Sequence, residues 1–452
     1  MARDTGHSRV PDPPAGTTAQ NPSISLMGTD GTARSARPGR RQGVTDWSPD
    51  TTPFVTAGQP GGWSVGVVRV AIATESFLPS LNGVTTSVCR VTEELGEQGH
   101  EAMIIAPGPA PASYVGHPVR SLPGVTVRGF RAGLPTRELS RALHDFRPDV
   151  VHLASPFLVG ACGVREALSR DVPTVAIYQT DMPSYVQQHG PGAVGRGAGA
   201  LTWRWIRRLH ERADLTLAPS QPTLEELRRH GVPRTGLWGR GVDTRLFSPS
   251  WREEEGTLAL REALAPRGEV ILGYVGRLAP EKELHRLVEL ASLPGTRLVL
   301  VGEGPSRNEL GALLTEAVAT SGRRPNLPPA FLGSRTGHAL ARAYAAFDVF
   351  VHTGTKETFG QTLQEAAATG MPVVAPCAGG PLDLVDHGVT GLHYDPARPG
   401  ALRAAVAQLA ESPALRERMA RAGAERVAGR SWAALTAQLV THYEGVIAGR
   451  VA

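Results

Sequence analysis

Cysteine, aromatic residues and long apolar runs are all scarce in this 452-residue chain, and each scarcity excludes something. The three cysteines, Cys89, Cys162 and Cys377, stand too far apart for a disulfide framework or a zinc-ligand spacing. They read instead as reduced, mostly buried small hydrophobes. No run of about 18 or more apolar residues occurs, and no charged-then-apolar segment opens the chain. Neither a membrane span nor an export leader is therefore expected, and a cytoplasmic location is. Aromatics make up only 5% of residues, and no dense Lys/Arg run interleaves with them, so nucleic acid is not the expected partner. The net charge of +5 is a mild basic excess, suited to phosphates or an anionic membrane surface without choosing between them.

Hydrophobic residues at 41% suffice for real cores, and the length exceeds one ordinary domain. Residues 1–66 are rich in Pro, Gly, Ser and Thr with no apolar period. Such a segment cannot bury enough apolar surface to offset its ordering entropy, so a disordered tail is expected. At Val67 the texture changes. "VVRVAIATESFLP" has the look of a buried parallel strand ending in a loop, and in the stretch after it Val84, Val88, Val91 and Leu95 fall at helical spacing, with Gly99 as a C-terminal cap. "EAMIIAP", "DVVHLASP", "PTVAIYQTD" and "LTLAPS" continue an alternation of strands and helices. After an irregular stretch at 242–255 the alternation restarts with "EVILGYVG" and runs through "TRLVLVGEG", "AFLG", "DVFVHTG" and "MPVVAPCAGG". The fold class is thus α/β, with two Rossmann-like domains: an N-terminal one over 67–241 and a second over 242–430. A last helix over 431–452 could cross back to the first domain. Two such domains leave a cleft between the carboxyl ends of their strands, where open α/β sheets bind ligands.

The second domain carries polar residues on its strand-end loops. In "VGRLAPEK", Arg277 and Lys282 follow a strand, and two cations there can neutralise a diphosphate leaving group as its charge grows. In isolation the same pair reads equally well as surface. "VGEGPSRNEL" is a Gly-rich turn, weak evidence because tight strand-to-helix turns need glycine anyway. In "GTKETFGQTLQEAAATG", Glu357 falls on a strand-end loop, and the following helix begins near Phe359 to Gln361 with free amides suited to anionic or hydroxyl-rich ligand atoms. Glu365 lies about one turn further on, with alanine at each of the next three positions. Carboxylates suit sugar and ribose hydroxyls because each accepts two hydrogen bonds.

Taken together and in order, "VGRLAPEK", "LVLVGEGP" and "ETFGQTLQEAAATGMPVVA" resemble the retaining family 4 glycosyltransferases of the GT-B fold, from about residue 68 to the C-terminus. The resemblance implies that Arg277 and Lys282 bind the diphosphate of a nucleotide-sugar donor. It implies that Glu357 holds the transferred sugar, helped by backbone groups near Phe359 and Gly360, and that Glu365 holds the ribose. The base would sit near Gly333. "ESFLPSLNGVTTSV" matches the family's glycine loop, where Gly83 would let the backbone approach the donor phosphates or the acceptor. Where many relatives carry His-Thr, this chain has "YQTDMPSY", with Gln179 in the His position and Asp181 two places on. That departure argues against a His-assisted mechanism. Asp181 is better suited to bind an acceptor or sugar hydroxyl, or to stabilise positive charge developing at the anomeric carbon. "YQTD", "DVVHLASPF" and "WGRGVDTRLF" look more specifically like the actinobacterial GDP-mannose-dependent α-mannosyltransferases that modify glycolipids, implying a lipid or glycolipid acceptor.

No Asp-x-Asp motif stands on a strand-end loop, and Arg277, Lys282 and a helix N-terminus already supply positive charge, so no metal or other cofactor is expected. The mechanism expected is a retaining front-face substitution without an enzymic nucleophile. The rivals are a UDP-sugar-dependent member of the family, a nucleotide-sugar epimerase of the same architecture, and a donor-binding subunit without activity. A nicotinamide dehydrogenase is disfavoured, since "ATESFLPSLNGV" lacks the Gly-x-Gly-x-x-Gly fingerprint. Finally, "GRGAGALTWRWIRRLHERAD" puts Trp203, Arg204, Trp205, Arg207, Arg208 and Arg212 on one predicted helix. This suits an anionic membrane surface, while the plainer reading is a cleft-side helix with its aromatics packed inward.

Overall fold

The computed structural model describes residues 66–451, except 81, 128–129, 135, 180–191 and 321–325. All of them belong to one compact unit, Ser64–Ala452. The expected tail, apart from Gly66, lies outside the described residues, as does Asp181.

Among the described residues, ten strands occupy the first half: β1 (Arg69–Ala73), β2 (Glu101–Pro107), β3 (Ser113–Tyr114), β4 (His117–Leu122), β5 (Gly124–Val127), β6 (Phe130–Gly133), β7 (Val150–Leu153), β8 (Thr174–Ile177), β9 (Leu215–Ala218) and β10 (Thr235–Leu237). Eight form one sheet in the order β10-β9-β8-β7-β1-β2-β4-β3, parallel throughout except where β3 runs against β4. The remaining two, β5 and β6, pair as an antiparallel hairpin. The short strands β3 to β6 were not foreseen, because "SY", "HPVRSL", "GVTV" and "FRAG" lack the continuous apolar run that marked the central strands. The central strands are continuous apolar runs because helices cover both faces, and Val70, Ala71, Ile72 and Ala73 are all buried.

The second half holds β11 (Val270–Val275), β12 (Thr296–Val301), β13 (Ala330–Phe331), β14 (Val349–Val351), β15 (Val373–Pro376) and β16 (Gly391–Tyr394), an all-parallel sheet in the order β13-β12-β11-β14-β15-β16. Each sheet separates two hydrophobic clusters. The helix Gly83–Glu97 follows β1, capped by Asn82, whose side chain accepts from the amides of Val84 and Thr85 at 3.0 and 3.1 Å. It ends at Gly99, which adopts the left-handed conformation.

The chain crosses between the halves twice. Trp238 belongs to the core of the first half and Val242 to that of the second, while the helix Trp432–Val451 returns to the first. There Leu435, Leu439 and Tyr443 complete the core, and the Trp238 indole donates to the Leu435 carbonyl at 2.7 Å. The two crossings touch: the Val242 amide donates to the Arg430 carbonyl at 2.9 Å. A Cβ on Gly241 would lie 2.5 Å from the Trp432 Cα, so only glycine lets them pass. The three cysteines are unpaired, but Cys377 is exposed, so the set is less buried than composition suggested.

Candidate functional site

Strands β11 and β14 are neighbours in the second sheet although β12 and β13 separate them in sequence. That adjacency is a topological switch point, where the loops diverge and open a crevice. The loop after β11 carries Arg277 and Lys282, and the loop after β14 carries Glu357. Lys282 closes a short 3-10 turn, Pro280–Lys282, and its carbonyl accepts from the Thr353 hydroxyl at 2.6 Å, tying one loop to the other. The Lys282 Nζ donates to the Glu357 Oε2 at 2.7 Å. Burial alone would raise the Glu357 carboxyl. The Lys282 charge, with His352 and Arg240 nearby, overrides this and holds it down at about 2.

His352 is a residue that sequence reasoning passed over. It is buried at the end of β14 with its Nε2 3.9 Å from the Glu357 Oε2, and burial lowers it to about 4, so it is neutral. Arg277 behaves differently from Lys282. Its side chain is 57% exposed and forks onto Glu281, with Nε 3.0 Å from the carboxylate oxygen. The fold thus brings Lys282 and Glu357 together and leaves Arg277 beside them on a loop carboxylate.

Gly360 is left-handed at φ 103° and precedes the helix Gln361–Ala368, which has no side-chain cap. The Leu363 amide donates to the Gly360 carbonyl at 2.9 Å, which leaves the first two amides of the helix, those of Gln361 and Thr362, for an acceptor from outside. The Phe359 ring is buried in the core, so only its backbone can serve a ligand. From the first half, Ser220 and Thr223 hydroxyls donate to the Thr358 carbonyl at 2.7 and 3.2 Å, so the Glu357–Gly360 loop is held by both halves. Glu365 accepts from the Tyr344 hydroxyl at 2.8 Å, and burial raises its carboxyl to about 7.

Gly333 follows β13, and its carbonyl accepts from the Gly302 amide at 2.9 Å, aligning the loops after β13 and β12. A Cβ on Gly302 would fall 1.9 Å from the Gly276 carbonyl oxygen, so the glycine here is compulsory and "VGEGP" packs directly on the Arg277 loop.

In the first sheet β1 and β7 form the corresponding switch point. Gln179, at the end of β8, is buried, and both ends of its side-chain amide are engaged. Nε2 donates to the Ala154 carbonyl at 2.9 Å and Oε1 accepts from the Arg240 Nη2 at 2.9 Å. It therefore braces an arginine rather than presenting a free group to an acceptor. Arg240, on the first crossing, is the second residue passed over, quoted only as part of "WGRGVDTRLF". Gly83 stands beside it, and a Cβ there would lie 3.2 Å from the Arg240 Nη1.

The helix Gly192–His210 divides its aromatics. Trp203 is 9% exposed and stacks on the His230 ring at 3.8 Å. Trp205 is 45% exposed, with its indole donating to the Pro156 carbonyl. Leu201, Arg204, Arg207 and Arg208 are exposed along the helix, with Arg212 just beyond it. No helix among the described residues is long and apolar enough to cross a membrane. Among the described residues, no group of three or more His, Cys, Asp or Glu is placed to hold a metal ion.

Comparison with known proteins gives two family matches, "Glycosyltransferase Family 4" over residues 81–246 and "Glycosyl transferases group 1" over 258–426. The chain is 45% identical over 395 residues to a GDP-mannose-dependent alpha-mannosyltransferase of Mycobacterium tuberculosis, covering 84% of this chain and 97% of that one. It is 28% identical over 321 residues to a GDP-mannose-dependent alpha-(1-6)-phosphatidylinositol dimannoside mannosyltransferase of the same species, covering 68% and 79%. A solved structure of Anabaena HepE in complex with UDP-glucose superposes with a TM-score of 0.65 at 20% identity, covering 84% of this chain and all of that one.

Proposed function

This chain belongs to glycosyltransferase family 4, and from that footing we propose that it is a retaining α-mannosyltransferase that moves mannose from GDP-mannose to a glycolipid acceptor. The observation that carries the reading is the Lys282–Glu357 pair on adjacent loops at the switch point of the second sheet, beside an uncapped helix N-terminus. A cation and a carboxylate so placed answer the two ends of a sugar diphosphate. Lys282, aided by Arg277 and the helix N-terminus, offsets the charge of the departing diphosphate. Glu357, ionised at any ordinary pH, accepts hydrogen bonds from hydroxyls of the transferred sugar. Glu365 does the same for the ribose, and the base lies along the Gly333 loop.

The step is a front-face displacement. The bond between the anomeric carbon and the phosphate oxygen breaks with its electron pair on the phosphate. The acceptor oxygen bonds to the same face of that carbon, and its proton passes to the leaving phosphate. Glu357 orients the sugar and forms no covalent bond. The charge is met by side chains and backbone amides, so a divalent ion has no required part in this step, and chelation with EDTA is expected to leave turnover unchanged.

The M. tuberculosis relatives' donors support GDP-mannose, and the phosphatidylinositol dimannoside named for one of them supports a lipid acceptor. The exposed Trp205, Leu201 and arginines of Gly192–His210 provide a basic, partly apolar face toward an anionic bilayer. Calorimetry with GDP-mannose, UDP-glucose and UDP-glucuronate tests the donor. Binding of GDP-mannose alone is expected, and tight binding of a UDP-sugar with none of GDP-mannose overturns the assignment.

A further inference from the structure

Arg240 is a half-buried cation without a carboxylate partner among the described residues. Among the described residues only its Nη2 is engaged, by the Gln179 Oε1 at 2.9 Å and, more loosely, the Gln179 carbonyl at 3.5 Å. A guanidinium has five N–H donors, and this one rests directly on one neutral amide, with Glu357 acting on it only as a charge at longer range rather than as a hydrogen-bonded partner. Burial lowers its pKa to about 10, opposed by Glu357, so it stays charged under physiological conditions.

Two further observations say where that charge is offered. The Nη1 lies against Gly83, at the start of the helix after β1. Gly83 has no positive φ to require glycine, so what the missing side chain provides is room beside the guanidinium. On the other side, the Arg240 carbonyl accepts from the Gln364 Nε2 at 2.9 Å, and the Gly241 carbonyl from the Gln361 Nε2 at 3.0 Å. Both glutamines belong to the helix whose N-terminus faces the donor cleft. Arg240 is therefore fixed to the donor helix by its backbone and to the first half by its side chain, with its free edge toward the cleft between them.

We propose that Arg240 is a third cation of the donor site, held by Gln179 so that its free edge contacts the diphosphate from the N-terminal side of the cleft, opposite Lys282. This rests on the reading of the cleft as a nucleotide-sugar site. It also gives the Gln179 departure a physical role: a neutral amide acceptor braces the arginine without quenching its charge.

The test is calorimetric binding of GDP, GMP and guanosine, and of the corresponding uridine series, to wild type and to Arg240→Gln, Arg240→Lys and Gln179→Glu. Loss of one charge-assisted contact corresponds to about a ten- to hundredfold loss of affinity. That loss is expected for the diphosphate in R240Q, with a much smaller change for the nucleoside. R240K should recover part of it. Q179E, which pairs Arg240 with a carboxylate, should weaken diphosphate binding while the melting temperature holds or rises. A merely structural role would lower diphosphate, monophosphate and nucleoside affinities alike, and that result overturns the proposal. Equal diphosphate binding by wild type and a folded R240Q overturns it while leaving the donor site standing. If wild type binds neither GDP nor UDP, the donor-site reading and this proposal fall together.

Discussion

The Lys282 Nζ sits 2.7 Å from the Glu357 Oε2, so the cation proposed for the diphosphate and the carboxylate proposed for the sugar are paired with each other across the two loops. Both are largely withdrawn from water, with side-chain exposures of 26% and 19%. The pair holds each member in a definite rotamer, and a donor that engages both does so at little ordering cost.

Removing Lys282 should therefore act on chemistry and on titration together. Lys282→Ala is expected to lower turnover by about a hundredfold or more. Glu357 is held at about 2 in the native fold, so its ionised form is lost only as pH falls through that value. Without the lysine charge the carboxyl rises, and the acid limb of donor binding moves up toward the ordinary carboxylate range. Binding isotherms between about pH 3 and 7 read this shift, and an unchanged limb with near-normal turnover would sink the assignment.

Glu365 carries the opposite sign. Its folded pKa is raised from 4.5 to about 7, so the protonated form is favoured in the fold. The stabilisation is present in full below 4.5 and is lost as pH rises to about 7. Glu365→Gln keeps the shape and removes the titration. It should match wild type near the acid end and exceed it at about pH 8, by at most about 3 kcal/mol, while binding nucleotide more weakly. Urea titrations of both proteins at several pH values check this, and a pH-independent difference would contradict it.

The helix Gly192–His210 offers a separation by residue. Trp203→Ala removes an inward stack on His230 and should destabilise the fold by about 3 kcal/mol or more. Trp205→Ala should leave the melting temperature nearly unchanged and, with Arg207→Glu and Arg208→Glu, reduce pelleting with anionic liposomes. Salt-insensitive, undiminished pelleting would remove this face from the membrane contact.

Gly241→Ala puts a Cβ 2.5 Å from the Trp432 Cα, and backbone cannot step aside as a side-chain tip can. A loss of about 1–3 kcal/mol in chemical unfolding is expected. Gly99→Ala, at a left-handed turn with open space around it, should cost only about 1 kcal/mol.

Much of this was legible in the sequence, for identifiable reasons. Strands such as Val70–Ala73 and Val150–Leu153 are buried on both faces, so they appear as unbroken apolar runs. Lys282 and Glu357 were readable because strand-end loops follow directly from the strand pattern. Arg240 and His352 were not. His352 ends an apolar strand and looks like core, and Arg240 lies on a crossing segment whose position depends on contacts with Gln179 and Gln364, distant in sequence. Gln179 was located, but no local pattern reveals that both ends of its amide are occupied. The hairpin β5–β6 escaped notice because "GVTV" and "FRAG" lack the unbroken apolar run that marked the central strands.

The return of Trp432–Val451 to the first core has a practical consequence for engineering. The first domain is discontinuous in sequence: the Tyr443 hydroxyl reaches the His152 Nδ1 at 2.6 Å, bonding residues 291 positions apart. A fragment ending near residue 241 would lack part of its own interior. Donor specificity is therefore best exchanged by treating 242–430 as a cassette, spliced at Gly241 and Arg430, with the final helix left attached to the half it completes.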